Sequence, residues 1–369
     1  MMKAGKPDLF IFLVVLFLLA LGLVMVTSAS FPRALSATGG ADPFTFGKRQ
    51  LFFTLISLVL MVFVINFDYH RLRRFTVLFA VLAPVLLVLV LFLGDEINGA
   101  RRWFDLKIFN FNFQPSEFAK LALIFVLAHY LTELGEEVRN FSTGVLIPLV
   151  YVGLICGLVM MEPDLGTTIV IFAIFLSMLF AAGVRIAHLI LVALFVAPIG
   201  VYLIIQEPYR LQRLFSFLDP TQDPQGSGWQ ILQSLMALGS GGIIGLGLGR
   251  SRQKFFYLPE PHTDYIYSII GEELGLVGTI LVLLLFLCLA WRGYKIALAT
   301  KDHYGSLLAV GITSWLVLQA LINIAVVTAT IPATGITLPL LSYGGSSLGI
   351  TMLAIGILLN ISRVPRESL

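Results

Sequence analysis

Tyr257-Leu-Pro-Glu-Pro-His-Thr-Asp-Tyr-Ile-Tyr-Ser-Ile-Ile-Gly-Glu-Glu-Leu-Gly275 sets two prolines, a histidine and four carboxylates against the start of a strongly apolar run. Ionisable groups at a membrane boundary are costly, so they usually mark function. Asp264 is the candidate catalytic residue. It sits where a polar loop feeds an apolar helix, after His262 and Thr263 and before Tyr265 and Tyr267. Taken locally, Asp264 and Thr263 could equally cap that helix. The rest of the chain shifts that balance towards function.

Only 12% of the 369 residues are charged and 58% are hydrophobic. A soluble domain carries about 25% charged residues. With many apolar runs of spanning length, the composition specifies an all-α integral membrane protein, one polytopic domain over residues 1–369. The net charge of +3 says little about partners, and with no Lys/Arg block no nucleic-acid partner is expected. Cys156 and Cys288 lie in apolar runs and read as small buried hydrophobes, not as a disulfide or metal site.

About ten transmembrane helices follow from run length, near 9–28, 51–67, 75–94, 117–134, 143–161, 165–183, 187–205, 266–291, 305–329 and 346–362. The first run is longer than a cleavable signal core, and Lys3 and Lys6 precede it, so it reads as a retained span. An even number of spans puts both termini on one side. With the termini cytoplasmic, twelve Lys and Arg lie inside against six outside once the long loop is set aside.

That orientation places three polar segments on the outer face: 95–116, the long extracytoplasmic loop 206–265 between helices seven and eight, and 330–345. In the first, Trp103 suits an interfacial belt and Pro115 fits the first turn of span four. Glu117 and Lys120, three apart, share a face and can pair, either as a structural ion pair or as the wall of a polar cavity. Between spans five and six, Pro163 breaks the helix and Asp164 caps the next. In the long loop, 229–238 reads as a short helix, and the glycine-rich run 239–249 lacks the Gly-Lys-Ser/Thr ending of a nucleotide loop. Arg250, Arg252 and Lys254 could neutralise an anionic headgroup or anchor the loop at the interface. The last segment has two prolines and several glycines and hydroxyls, which suits a re-entrant loop beside a water-filled cavity.

Seven motifs in order carry a resemblance. They are Asn98-Gly-Ala-Arg-Arg-Trp103, Gln114-Pro-Ser-Glu-Phe-Ala-Lys120, Pro163-Asp-Leu-Gly-Thr167, Asp223-Pro-Gln-Gly-Ser-Gly228, Leu258-Pro-Glu-Pro-His-Thr-Asp264, Gly271-Glu-Glu-Leu-Gly275 and Leu338-Pro-Leu-Leu-Ser-Tyr-Gly-Gly-Ser-Ser347. Over almost its whole length the chain resembles the SEDS family (shape, elongation, division and sporulation), bacterial membrane glycosyltransferases that polymerise lipid II. Gln253-Lys-Phe-Phe-Tyr-Leu-Pro-Glu-Pro261 and Thr334-Gly-Ile-Thr-Leu-Pro339 favour the FtsW/SpoVE branch over RodA. The resemblance implies that Asp264 is the essential carboxylate and that Glu117 and Lys120 are the family's charged pair. It places Ser346 and Ser347 in a second signature that shapes the cavity or touches substrate. It also implies a class B penicillin-binding protein as partner, with other divisome or elongasome membrane proteins.

The implied reaction displaces undecaprenyl pyrophosphate with inversion. It needs a general base for the acceptor hydroxyl, a role that suits Asp264, with His262 and Thr263 as neighbouring substrate contacts. It also needs cations for the leaving group, for which Arg101, Arg102, Lys120, Arg210 and Arg213 are candidates. No cofactor is required by the sequence. A divalent cation such as magnesium remains an alternative, with Asp264 as ligand instead of base. Ten spans with broken polar segments also describe a lipid II flippase, although the halves show no convincing repeat and the polar residues cluster on one face. A scaffold for division proteins is the third reading.

Overall fold

The computed structural model describes residues 5–97, 99–106, 111–223 and 225–363. Asn98 and Pro224 of the motifs lie outside the described residues. So do Lys3, Lys107 and Arg366, which enter the charge comparison.

The chain is a bundle of apolar helices. In order they are α1 (Leu9–Ala37), α2 (Thr45–Ile65), the single turn α3 (Tyr69–Leu72), α4 (Thr76–Leu93), α5 (Pro115–Leu134), α6 (Ile147–Met161), α7 (Leu165–Ala181), α8 (Ile186–Ile205), α9 (Pro208–Leu218), α10 (Trp229–Gly241), α11 (Ile266–Ala299), α12 (His303–Val327) and α13 (Gly345–Ile361). Among the described residues, eight helical segments are long and apolar enough to cross a bilayer. The shorter apolar α7 and α13, 17 residues each, sit at the lower limit for a span. Each of the ten expected apolar runs is thus helical, eight of them of spanning length, in a multi-pass membrane protein. Cys156 and Cys288 are unpaired and half-buried.

Local chemistry fixes the helix starts. Asp8, Asp164 and Asp302 each accept a main-chain N–H in the first turn of α1, α7 and α12, as N-caps do. Pro115 opens α5, where its missing N–H costs nothing. One segment differs from expectation. Within 95–113 the chain forms a small antiparallel sheet, β1 (Asp95–Ile97), β2 (Ala100–Asp105) and β3 (Asn112–Phe113). Pairing lets this polar segment satisfy its main chain locally instead of lying open.

The two ends of the described chain meet. The Gly5 N–H donates to Arg363 O at 2.8 Å, and the Asp8 N–H to Ser362 Oγ at 2.9 Å. Arg292 pairs with Asp8 at 2.7 Å at the same end of the bundle. Gly5 and Arg363 therefore lie together at one end of the bundle.

α11 decides the opposite end. Its 34 residues would run about 51 Å if straight, far more than the roughly 30 Å of a hydrocarbon core. It breaks at Gly275, whose φ of 69° is open to glycine. The glycine-rich run after α10 lies against this break. Leu246 N–H donates to Glu272 O at 3.0 Å, and Leu276 N–H to Gly242 O at 2.9 Å. The long loop therefore does not stay wholly outside the spans, because its glycine strap packs beside α11 ten residues into that helix. Gly245 has φ 83°, and a Cβ there would fall 2.2 Å from Glu273 O. Gly245→Ala is expected to lower the thermal midpoint, at a cost of about 1–3 kcal/mol. An unchanged melting curve in detergent would contradict this account of the strap.

Two buried carboxylates hold the next turn. Glu272 accepts from the main chain of Arg252 at 2.8 Å, and Glu273 accepts from Gly249 N–H at 3.0 Å and from Ser28 Oγ at 2.7 Å. Lys254 donates to Glu273 at 2.9 Å and is itself buried. Lys254 is therefore committed inside the fold and does not serve as a headgroup cation.

Residues 328–344 contain neither helix nor strand, yet Ile336, Leu338, Leu340 and Leu341 are buried. Side chains of neighbouring elements take up this main chain. Asn323 Nδ2 donates to Ile336 O at 2.7 Å, and Gln319 Nε2 to Thr337 O at 3.0 Å. Tyr343 N–H donates to His262 O at 2.9 Å. This is the expected re-entrant segment: irregular backbone inside the bundle, satisfied by protein.

Candidate active site

A cavity of about 710 Å³ opens at the end of the bundle away from the termini. The starts of α2, α5, α7 and α13, the late part of α1, β2 and the re-entrant segment enclose it. Four carboxylates line it: Glu117, Asp164, Glu260 and Asp264. Three of them are bonded within the protein. Glu117 pairs with Lys120 at 2.8 Å and accepts from Ser347 Oγ at 3.2 Å. Asp164 accepts from Thr167 N–H and Oγ1 at 2.9 and 2.8 Å. Glu260 pairs with Arg33 at 2.8 Å. Among the described residues, none donates to the Asp264 carboxylate. Its main-chain carbonyl is held instead, by Asn323 Nδ2 at 2.8 Å.

The surroundings of Asp264 favour its protonated form. Burial pushes the carboxyl up from 3.8 to about 6, and the charges of Glu260 and Asp164 push the same way. Arg213 and Arg102 oppose them. At neutral pH the group is therefore ionised yet readily protonated, as a general base requires. His262 is the opposite case. Burial holds its pKa down to about 4, so the imidazole is neutral. It packs edge-on against Phe46 at 5.1 Å and lies 5.6 Å from the Tyr343 ring, and all three line the cavity.

The candidate residues separate on inspection. Asp264, Glu117, Arg102, Arg213, His262, Thr263, Ser346 and Ser347 all line the cavity. Lys120 lies beneath its wall, fully buried, bonded to Glu117 and to Gln319 Oε1 at 2.7 Å, and 4.9 Å from the Trp315 ring centroid. It does not itself line the cavity, whereas its partner Glu117 does. Arg101 does not reach the cavity. Its place on the exposed sheet turns it to Glu96 at 3.7 Å. Arg210 is also withdrawn, its guanidinium donating to Leu203 O at 2.7 Å and Tyr209 OH at 3.0 Å. Arg102 lines the cavity but spends two donors on Glu162 O and Pro163 O at 2.7 and 2.6 Å. Arg213 bonds only Ala333 O at 3.2 Å among the described residues. Of the two candidate cations that line the cavity, it keeps more donors free than Arg102.

Several contributors were not singled out from sequence. Asp164 caps α7 as its sequence position suggests, and it also lines the cavity. Gln319 and Asn323 brace the re-entrant segment and the Asp264 main chain. Two amides four residues apart in an apolar run share a helix face, and that signal was available. Glu162 gave no signal. It is fully buried with neither carboxylate oxygen bonded among the described residues, and burial, aided by Asp164, pushes its pKa up to about 9. The unfolded chain releases this proton near pH 4.5, so stability is fullest below 4.5 and declines as pH rises towards 9. Glu162→Gln is expected to flatten that decline, checked by melting temperature from pH 5 to 9. A parallel decline in both proteins would contradict the assignment.

Among the described residues, no three or more His, Cys, Asp or Glu side chains converge closely enough to hold a metal ion. Magnesium commonly uses one or two carboxylates together with substrate phosphates, and the unbonded carboxylate of Asp264 fits that pattern. Bound there, the ion would supply positive charge to a leaving pyrophosphate.

A family model described as a cell cycle protein, FtsW/RodA/SpoVE, matches residues 8–367. The chain belongs to this family. Stage V sporulation protein E of Bacillus subtilis (strain 168) is 48% identical over 366 residues, 99% of each chain. The "Probable peptidoglycan glycosyltransferase FtsW" of Trichlorobacter lovleyi is 44% identical, covering 98% of this chain and 94% of that one. Among solved structures, a chain of a peptidoglycan synthase complex that coordinates polymerization and crosslinking superposes with a TM-score of 0.79. It has 32% identity, over 97% of this chain and 98% of that one. The rod shape determining protein RodA of Thermus thermophilus gives 0.69 at 29% identity, over 97% of each. The FtsW/RodA/SpoVE likeness thus covers the whole bundle, including every element that lines the cavity.

Proposed function

We infer that this FtsW/RodA/SpoVE protein is a peptidoglycan glycosyltransferase that polymerises lipid II, working in septal or spore wall synthesis. The observation that carries the mechanism is the carboxylate set. Of four acids lining the cavity, Asp264 alone is unbonded among the described residues, and its pKa lies near 6. The acceptor's GlcNAc 4-hydroxyl attacks the anomeric carbon of the donor's MurNAc. Asp264 takes the hydroxyl proton as the new C–O bond forms. The bond to pyrophosphate breaks, and undecaprenyl pyrophosphate leaves with its electron pair. Arg213, with Arg102 beside the Asp164 turn, offsets the charge that develops there. Attack opposite the leaving group gives a β-1,4 linkage by inversion.

The cavity is extracytoplasmic and both termini are cytoplasmic in this reading, which the charge bias supports. The likeness to a chain of a peptidoglycan synthase complex supports a class B penicillin-binding protein as partner. Purified protein with that partner, given lipid II, is expected to release muramidase-sensitive glycan strands. Translocation of lipid II across vesicles without any polymer would overturn the reading in favour of a flippase.

A further inference from the structure

Three hollows meet at one pair of side chains. Tyr209 and Arg213, one turn apart on α9, line the cavity that holds Asp264. They also line a pocket of about 350 Å³ beside Ser216, Ser227 and Trp229. They line a third pocket as well, of about 260 Å³, whose wall is mostly apolar, with Leu165 and Ile169 of α7, Ile204 of α8, Leu214 of α9 and Ile331. Arg210 also lines it, with its guanidinium donors turned to Leu203 O and Tyr209 OH. Thr334 and Pro163 line both the apolar pocket and the cavity of Asp264, so the two hollows are adjacent.

The neighbouring helices give this pocket a direction. α7 is packed into the bundle, whereas in the 20-residue apolar α8 Val192 is the buried position among the described residues. A pocket between them sets the polar cavity beside the exposed apolar face of α8. At the junction stands Arg213, exposed and, among the described residues, bonded only to Ala333 O. A guanidinium has five N–H donors, so most remain for a ligand. The arrangement suits a molecule with an apolar chain, a multiply charged anionic link and a polar head, in that order.

We propose that the apolar pocket between α7, α8 and α9 seats the first isoprene units of the donor's polyprenyl chain, with its pyrophosphate on Arg213 and its sugar in the cavity of Asp264. This rests on the glycosyltransferase reading and adds which substrate occupies which hollow. The donor is assigned here because it is the donor's pyrophosphate that leaves, and Arg213 is the least committed cation beside Asp264. The rest of the chain passes into the bilayer beside α8.

The test uses the full-length protein in nanodiscs and undecaprenyl pyrophosphate carrying a diazirine in its first isoprene unit. Photolabel is expected on α7 near Ile169 and on α8 near Ile204. Unlabelled undecaprenyl pyrophosphate should displace it at least about tenfold more effectively than phosphatidylglycerol. Ile169→Trp or Ile204→Trp, both at the pocket wall, should cut labelling at least about fivefold, and Arg213→Ala about tenfold. Label on other helices, equal displacement by phosphatidylglycerol, or labelling untouched by both tryptophans would overturn the proposal. Polymerisation is read in the same preparation. Strand synthesis without pocket labelling removes the pocket alone. Pocket labelling without strand synthesis upholds the pocket and removes the proposed reaction.

Discussion

Asp264→Asn is expected to lower glycan-strand formation by about 100-fold or more while leaving the protein folded and bound to its partner. Asparagine keeps the size and hydrogen-bonding capacity of aspartate but cannot accept a proton at neutral pH. Little structure should be lost, because the wild-type carboxylate has no donor among the described residues and the main chain is held by Asn323 through the carbonyl. Removing a charge that burial disfavours should leave the melting temperature equal or higher. The informative result is therefore a split: activity gone, stability kept. Equal polymerisation by mutant and wild type would remove Asp264 from the chemistry.

Lys120→Met is expected to act through the opposite split, losing stability before any specific step. The ammonium is 1% exposed and bonds Glu117 and Gln319, and Gln319 in turn holds Thr337 of the re-entrant segment. Removing one partner of a buried pair leaves an uncompensated charge, here on Glu117, and costs about 3–5 kcal/mol. The expected readout is a lowered melting temperature in detergent. Adding Glu117→Gln, which neutralises the stranded carboxyl, should recover part of the loss. A double mutant no more stable than Lys120→Met would mean that the pair is not the source of the effect.

The spans were legible because runs of apolar residues about 20 long admit few readings. The re-entrant segment was legible too, since two prolines and several glycines near Ser346 cannot make a continuous helix. The candidate site was partly legible. Sequence marks the chemistry a residue can do, but not which residues are already spent. Arg210 and Lys254 look as available as Arg213 in the sequence, yet Leu203, Gly249 and Glu273 take up the first two. Glu162 was illegible for the same reason. Its burial depends on how α6 and α7 close over the Pro163 turn, which is a property of packing. The glycine strap was read as a loop because its pairing with α11 joins residues about thirty positions apart, and no local pattern announces it.

The central claim, that the Asp264 carboxylate accepts the hydroxyl proton, is tested most directly by the pH dependence of kcat/KM for lipid II polymerisation. A base works only when ionised, and burial raises this carboxyl to about 6. The rate should therefore climb tenfold per pH unit below about 6 and level off above it. Neutral His262, held down to about 4, should add no break in that range. A profile flat from pH 7 down to pH 4.5, in protein that stays folded throughout, would contradict the account.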